Sequence, residues 1–148
     1  MENRSGLCVD VSVDYADGKA ERRSASEMLR RVERRHGLRP RTLGADRGYD
    51  DGSFLVELES RGITPHIPVK EGRLRASDER GEARRRARRR MGRVGYSISQ
   101  RVRKRVEQVI GWAKGVAGLA RTRFIGHARI AMDAMMSGAA YNLLRMTR

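Results

Sequence analysis

The stretch SQRVRKRVEQVIGWAKGVA, from Ser99 to Ala117, organises the interpretation of this sequence. Its apolar residues recur at steps of four, three, four and three, which is the spacing of one buried face of a helix. They are Val102, Val106, Val109, Ala113 and Val116. A second set, Arg103, Glu107 and Lys114, falls along one side of the same predicted helix. An acid is thus expected between basic groups, and spacing alone favours a surface ion-pair ladder.

The composition of the chain is strongly basic. Its 148 residues include 33 Lys+Arg against 18 Asp+Glu, which gives a formal net charge of +15 and a pI near 11.4. The length fits one domain, and 39% hydrophobic residues allow a single modest core. A charge of this size predicts a polyanionic partner, with nucleic acid ahead of a membrane surface.

Several protein classes are excluded at this level. Cys8 is the only cysteine, so neither an internal disulfide nor a cysteine-based zinc cluster is expected. The first residues contain no basic-then-apolar signal region, and the apolar C-terminal stretch is interrupted by Asp133 and Asn142. We therefore expect no export signal and no membrane span.

The first half of the chain alternates between strand and helix patterns. Residues 7–13, LCVDVSV, alternate in polarity and predict a strand. A capping-box spacing from Ser24 to Glu27 predicts a helix that stops at His36-Gly37. A short strand through Thr42 to Ala45 is expected to deliver Asp46 to its carboxyl end.

A second helix and a third strand follow. Apolar residues at 54, 55 and 58 mark a short helix that Gly62 closes, and residues 63–69 predict a strand. This strand should lie at an edge, because Pro65 and Pro68 have no backbone N–H to donate. Strand, helix, strand, helix, strand is the order typical of an α/β fold with parallel neighbouring strands.

Composition changes abruptly between Lys70 and Gly95. Large apolar residues are few there, and we predict a basic, mobile and solvated insertion at about residues 70–95. Guanidinium groups contact phosphates, so the arginine run predicts nucleic-acid contacts; sequence readout is not implied, because backbone contacts position a protein without specifying bases. The run consists of Arg84, Arg85, Arg86, Arg88, Arg89 and Arg90. The alternative is a solvated linker whose charge only aids solubility.

The C-terminal part predicts a helix from roughly Ala128 to Leu144. Its apolar surface is broad, so we expect it to pack on the core or on a partner subunit. Trp112 could stack on a base, but in the middle of a helix it is more often a core or interface residue.

Asp46 is the second acid of interest. An aspartate at the end of a strand is well placed to bind a divalent cation such as Mg²⁺, and Glu107 could share that ion. Two acids are usually too few for such a site, and residue type alone favours a turn-former or helix cap for Asp46. Asp50 and Asp51 are expected to cap the helix that follows them.

Several separated phrases of the sequence resemble, in order, the C-terminal half of bacterial insertion-sequence transposases of the DDE type. The phrases are LGADRGYDDGSF, RGITPHIPVK, RVRKRVEQVIGWAKGVAGLARTRFIGHARI and AAYNLLRM. The resemblance implies that residues 1–148 are a partial DDE transposase catalytic domain. It also implies a ribonuclease H-like sheet with flanking helices.

The resemblance assigns roles to four residues. Asp46 and Glu107 correspond to the second and third metal-binding acids, and the implied cofactor is Mg²⁺ or Mn²⁺. Arg103 and Lys114 match the signature Y-(2)-R-(3)-E-(6)-K, in which they support the acid and hold transposon-end DNA. The implied activity is metal-dependent DNA cleavage and strand transfer, on transposon-end and target DNA at the bacterial nucleoid, in the cytoplasm.

Two departures from the family pattern affect these expectations. The signature tyrosine position is Gln100, with Tyr96 one turn earlier. The first aspartate of the triad lies, in the family, upstream of the phrase with which this chain begins. We therefore expect a sheet without its first catalytic strand and a chain that is weak or inactive alone. The sequence leaves open whether copies associate. The alternative function is a basic, nonspecific nucleic-acid-binding protein without metal chemistry.

Overall fold

A computed structural model describes residues 1–15, 17, 20–70 and 78–147. The chain forms two compact units. Unit 1 comprises Met1–Gly37 together with Lys104–Arg148, and unit 2 comprises Leu38–Arg103.

Unit 2 is built on a short parallel pair of strands. Strand β1 (Thr42–Gly44) pairs with β2 (Thr64–His66), and Leu43 lies opposite Pro65. Helix α2 (Gly52–Ser60) connects the two strands. The predicted strand–helix–strand order of this segment is confirmed, and so is the end of the helix before Gly62, which has φ 71°.

Helix α2 and strand β2 supply the centre of unit 2. The largest fully buried side chains belong to these elements and their neighbours: Leu55, Leu58, Ile63, Pro65 and Ile67. Proline has no backbone N–H to donate. Pro65 is tolerated in β2 because its backbone nitrogen faces away from β1, on the side where the described sheet has no further strand.

Residues Glu79–Arg90 form a helix, α3, where the sequence predicts a solvated insertion. Asp78 caps the helix by accepting a hydrogen bond from the N–H of Gly81 at 3.0 Å. Ala83 and Ala87 are buried, and α3 packs against α2. The prediction of an open segment is therefore wrong for residues 79–90, while residues 71–77 of the predicted insertion lie outside the described residues.

The predicted continuous helix from Ser99 to Ala117 is two helices. Helix α4 (Val94–Arg103) ends in unit 2, and α5 (Arg105–Gly115) begins in unit 1, with Lys104 between them. Neither Gly nor Pro marks this break. Residues 101–105 instead hold four positive charges in five positions, and like charges four residues apart destabilise a helix. The predicted apolar face is also shorter than expected, because Val109 is buried but Val116 is exposed.

Unit 1 contains α1 (Ala20–His36) and α6 (His127–Met146). Helix α1 begins four residues before the predicted cap at Ser24 and ends, as predicted, at His36. Helix α6 confirms the predicted C-terminal helix. Its middle approaches the N-terminal segment so closely that a Cβ at Gly138 would lie 3.1 Å from the Cγ2 of Val11.

The strand predicted for residues 7–13 is not formed. Its backbone is instead paired with a side chain, because Asn142 Oδ1 accepts from the N–H of Cys8 at 2.7 Å and Asn142 Nδ2 donates to the Cys8 carbonyl at 2.8 Å. The amide of Asn142 thus takes the place of a neighbouring strand. A strand pattern alone cannot show whether such a neighbour exists.

The described residues form a helix-rich α/β structure with a small parallel sheet. None of the helices found in the described ranges has the length and apolar character needed to cross a membrane.

Candidate functional site

Asp46 lies just beyond the carboxyl end of β1, as predicted. Its Oδ1 accepts a hydrogen bond from the N–H of Gly48 at 2.8 Å, and its backbone carbonyl accepts one from the N–H of Tyr49 at 3.2 Å. Asp46 therefore caps the 3₁₀ turn Arg47–Tyr49. This is the turn-forming role that residue type alone favours. The residue is exposed, so the carboxylate is also accessible to a ligand.

Gln100 ties helix α4 to the ends of both strands. Its Nε2 donates to the carbonyl of Ala45 at 3.1 Å and to the carbonyl of His66. Its Oε1 accepts from Nε of Arg103 at 3.3 Å. Because Ala45 directly precedes Asp46, the residue at the signature tyrosine position holds the backbone that carries this acid.

Helix α4 also passes unusually close to β1. A Cβ built on Gly44 would lie 2.9 Å from the Oγ of Ser99, a distance that real Cβ atoms essentially never show. Ser99 is buried, and within the described ranges its Oγ has no hydrogen-bond partner. Helix α4 can therefore approach β1 this closely only because residue 44 is glycine and has no side chain.

Two aromatic rings lie beside the strand ends. His66 and Tyr96 meet edge to face with ring centroids 6.0 Å apart. Burial lowers the pKa of His66, and the charge of Arg90 lowers it further. Burial raises the pKa of Tyr96 despite the opposing charges of Arg103 and Arg47. At neutral pH, Tyr96 is therefore a neutral phenol rather than an activated nucleophile.

The two acids after Asp46 have different roles. Asp51 caps α2, accepting from the N–H groups of Ser53 at 3.0 Å and Phe54 at 3.1 Å, as predicted. The prediction that Asp50 is also a cap is wrong. Its fully buried carboxylate accepts from Arg84 and, at 2.8 Å, from the N–H of Lys70. Burial would raise the pKa of Asp50, but these donors outweigh it and the pKa is lowered.

The arginines of α3 fall into two groups. Arg84 pairs with Asp50 at 2.7 Å, and Arg86 and Arg90 each contact Glu59 at 2.6 Å. These three side chains join α3 to α2 and to Asp50, which lies just before α2. Arg88 and Arg89 are exposed, and Arg85 is half-buried. The structure therefore gives the six predicted DNA-binding arginines unequal access to a phosphate.

The signature residues are divided between the two units. Arg103 is the last residue of α4 in unit 2, whereas Glu107 and Lys114 are exposed residues of α5 in unit 1. The prediction that all three share one side of one helix is therefore wrong. Glu107 and Lys114 retain their spacing of seven residues on α5.

Trp112 belongs to the packing of unit 1. Its ring meets Tyr141 of α6 edge to face, with centroids 5.8 Å apart. Both rings line a cavity of about 400 Å³, together with Gln108, Leu144 and Arg145. This position agrees with the core or interface role, which sequence reasoning preferred over base stacking.

A family model described as the transposase DDE domain matches residues 1–143. The chain belongs to this family. Neither the curated proteins nor the solved structures compared with it gave a match. The family acts on DNA in transposition, so DNA is the partner of this class of enzyme.

DDE transposases generally use a divalent metal ion. The described residues do not fit such a site by themselves. Within residues 1–15, 17, 20–70 and 78–147, no group of three His, Cys, Asp or Glu side chains could hold an ion. Asp46 belongs to unit 2 and Glu107 to unit 1.

Sequence reasoning missed two residues of unit 2 that organise this region. Glu59 receives two arginines, and Gln100 joins both strand ends. Glu59 lies 27 residues from Arg86, a separation that no helical or strand period connects. The only sign in the sequence that Gln100 matters is that it stands where the family signature has a tyrosine.

Proposed function

We propose that this chain is part of the ribonuclease H-like catalytic domain of a DDE transposase, with Asp46 and Glu107 as its second and third metal-binding acids. The position of Asp46 carries the proposal. In open sheets with parallel strands, ligands bind beyond the carboxyl ends of the strands, and Asp46 follows β1 there. Gln100 supports the role by holding the preceding carbonyl.

The proposed ion of the complete site is Mg²⁺ or Mn²⁺, which would activate an oxygen nucleophile for attack on phosphorus. The proposed contribution of this chain is two carboxylates. Because no group of three His, Cys, Asp or Glu side chains among the described residues could hold an ion, we expect the chain alone to cleave DNA weakly or not at all.

The proposed DNA contacts are made by Arg103, Lys114 and the α3 arginines that face solvent. Arg88 and Arg89 are exposed, so backbone phosphates can reach them from solvent. The proposed setting is the bacterial nucleoid, in the cytoplasm.

Metal binding tests the two acids whether or not the chain is active. Mn²⁺ affinity should be measured for wild type, Asp46→Asn, Glu107→Gln and the control Asp51→Asn. Asparagine at 46 keeps an oxygen for the N–H of Gly48, so the turn survives while the charge is lost. Weaker binding in the first two variants alone supports the assignment. Equal binding in all four proteins contradicts it.

Cleavage of supercoiled plasmid tests the expected weakness of the isolated chain. The same proteins are incubated with Mg²⁺ or Mn²⁺, and nicked product is quantified. Strong nicking that disappears in Asp46→Asn and Glu107→Gln would support the acids but contradict the expected inactivity. Nicking that persists unchanged in both variants would show that these two acids do not catalyse it.

The second candidate is a basic nucleic-acid-binding protein without metal chemistry. The net charge of +15 favours it, because phosphate contacts and counterion release alone give affinity for DNA. This candidate predicts DNA binding that is unchanged by Asp46→Asn and Glu107→Gln and by chelation of divalent ions. The metal-binding comparison therefore separates the two functions.

A further inference from the structure

Residues 122–126 form a short loop in unit 1, between the 3₁₀ turn Leu119–Arg121 and helix α6, and this loop exposes an apolar tip. Ile125 is 85% exposed, more than any other large hydrophobic residue that the structure describes. Phe124, next to it, is 45% exposed. Single exposed apolar residues are common on protein surfaces, so the groups around this pair decide what the tip can bind.

Three arginines flank the tip. Arg121, Arg123 and Arg129 are exposed, and each lies within four residues of Ile125. Their Cα atoms are therefore at most about 14 Å from that of Ile125. Among the residues that the structure describes, none of these three guanidinium groups meets a carboxylate. Residues 108–132 contain no Asp or Glu, so the tip is surrounded by positive charge that no neighbouring acid in the sequence neutralises.

The loop is held in place on both sides. Thr122 Oγ1 donates to Oδ2 of Asp133 at 2.7 Å and accepts from the N–H of Phe124 at 3.3 Å. Beyond the tip, Nε2 of His127 lies 2.9 Å from the carbonyl oxygen of Val13, which can only accept, so the ring nitrogen donates. These contacts order the loop before any ligand arrives. A ligand that binds the tip therefore loses little affinity to the ordering of the loop.

An apolar tip flanked by arginines has the chemistry of proteins that bind the minor groove of DNA. In such proteins apolar side chains insert between base pairs and unstack them, and basic side chains hold the backbone. An anionic membrane offers the same charge, but membrane-surface segments present a wide apolar face of a helix. Phe124 and Ile125 are two adjacent residues of a loop, and a pair of this size matches one base step better than it matches a bilayer.

We propose that the 122–126 loop inserts its apolar tip into the minor groove of a DNA duplex, with Arg121, Arg123 and Arg129 on the flanking phosphates. Phosphate contacts and apolar insertion do not require a particular base sequence. The contact goes beyond the proposed function. It uses neither of the proposed metal-binding acids, so it holds or fails independently of them.

The linking number of a plasmid tests the insertion. A nicked plasmid is resealed by a ligase with the full chain bound, and base steps that the protein unstacks change the twist that is trapped in the closed circle. We expect a shift in linking number with wild type and, at equal DNA occupancy, a shift at least about twofold smaller with Ile125→Ala. Ile125→Leu keeps an apolar side chain and should restore the wild-type shift.

The matched control for Ile125→Ala is Leu143→Ala. Leu143 is also an exposed apolar residue, at 67%, and it lies near the other end of α6, about 24 Å along the helix from His127. This control should give the wild-type shift. No shift with wild type, or equal shifts with wild type and Ile125→Ala, overturns the proposal.

DNA affinity separates the apolar contact from the charged ones. By fluorescence anisotropy on a labelled duplex, Ile125→Ala should bind roughly tenfold more weakly with an unchanged salt slope, because it removes apolar surface and no charge. Arg121→Gln/Arg123→Gln should instead lower the slope of log affinity against log salt by about 2. Vesicles of phosphatidylcholine and phosphatidylserine provide the competing surface. If Ile125→Ala weakens vesicle binding and leaves DNA binding unchanged, the tip contacts a membrane and the proposal is overturned.

Discussion

The carboxylate of Asp50 receives both ends of the Arg84 guanidinium, with Nε 2.8 Å from Oδ1 and Nη2 2.7 Å from Oδ2. This two-point contact joins residues that are 34 positions apart and leaves the aspartate side chain fully buried. Bidentate pairs of this kind are directional and strong. Part of the arginine run is therefore used to assemble unit 2.

Asp50→Asn should destabilise the chain by about 2 kcal/mol, because it removes a charged acceptor from a buried arginine contact. The matched control is Asp51→Asn. Asparagine caps helices about as well as aspartate, so this neighbouring substitution should change stability little. Urea unfolding measures both. Equal losses in the two variants would show that Asp50 has no special anchoring role.

Glu59 should make unfolding dependent on acid pH. Burial would raise the pKa of Glu59, but Arg86 and Arg90 lower it below the ordinary value of 4.5. A lowered folded pKa contributes stability above the unfolded pKa, and this contribution is lost as pH falls through the folded pKa. The stability difference between wild type and Glu59→Gln should stay constant from about pH 7 to pH 5 and shrink below about pH 4.

This comparison separates the Glu59 contribution from most of the His66 contribution, because both proteins contain His66. The lowered pKa of His66 removes stability as pH falls through its ordinary value of 6.5, and the part of that loss that comes from burial, its largest cause, is common to both proteins. A difference that shrinks already near neutrality would contradict the assigned pKa direction.

Gly44→Ala should cost about 1–2 kcal/mol, because the new methyl group would overlap the Ser99 hydroxyl. Ser99→Ala alone should be neutral or slightly stabilising, since it removes a buried hydroxyl without a described partner. Combining the two substitutions should recover most of the lost stability. Chemical denaturation of the three variants tests this, and additive effects without recovery would refute the proposed contact.

Arg88→Gln/Arg89→Gln should weaken DNA binding and lower the slope of log affinity against log salt by about 2. The matched control is Arg34→Gln/Arg35→Gln, which removes the same charge from exposed positions on α1. Fluorescence anisotropy at several salt concentrations gives both slopes. Identical slopes for the two double variants would mean that α3 holds no particular phosphate contact.

Local patterns predicted much of the fold. The strand before Asp46, the cap at Asp51, the helix that ends before Gly62 and the C-terminal helix each depend on neighbouring residues, and all were confirmed. The strand predicted for residues 7–13 failed because strand formation needs a partner elsewhere in the chain. The regular spacing of apolar residues from Val102 to Val116 predicts one continuous helix, but it takes no account of the repulsion among the positive charges at residues 101–105, where the helix breaks.

The sequence by itself determined the family, the strongly basic surface and the position of Asp46 after a strand, since each is written in consecutive residues or in composition. Only the tertiary structure decided which arginines are held by acids, what Gln100 contacts and which face of α6 is covered. Those features depend on groups that lie tens of residues apart. The distances between these groups and their burial are set by tertiary packing, which the local spacing of residues in the sequence does not predict.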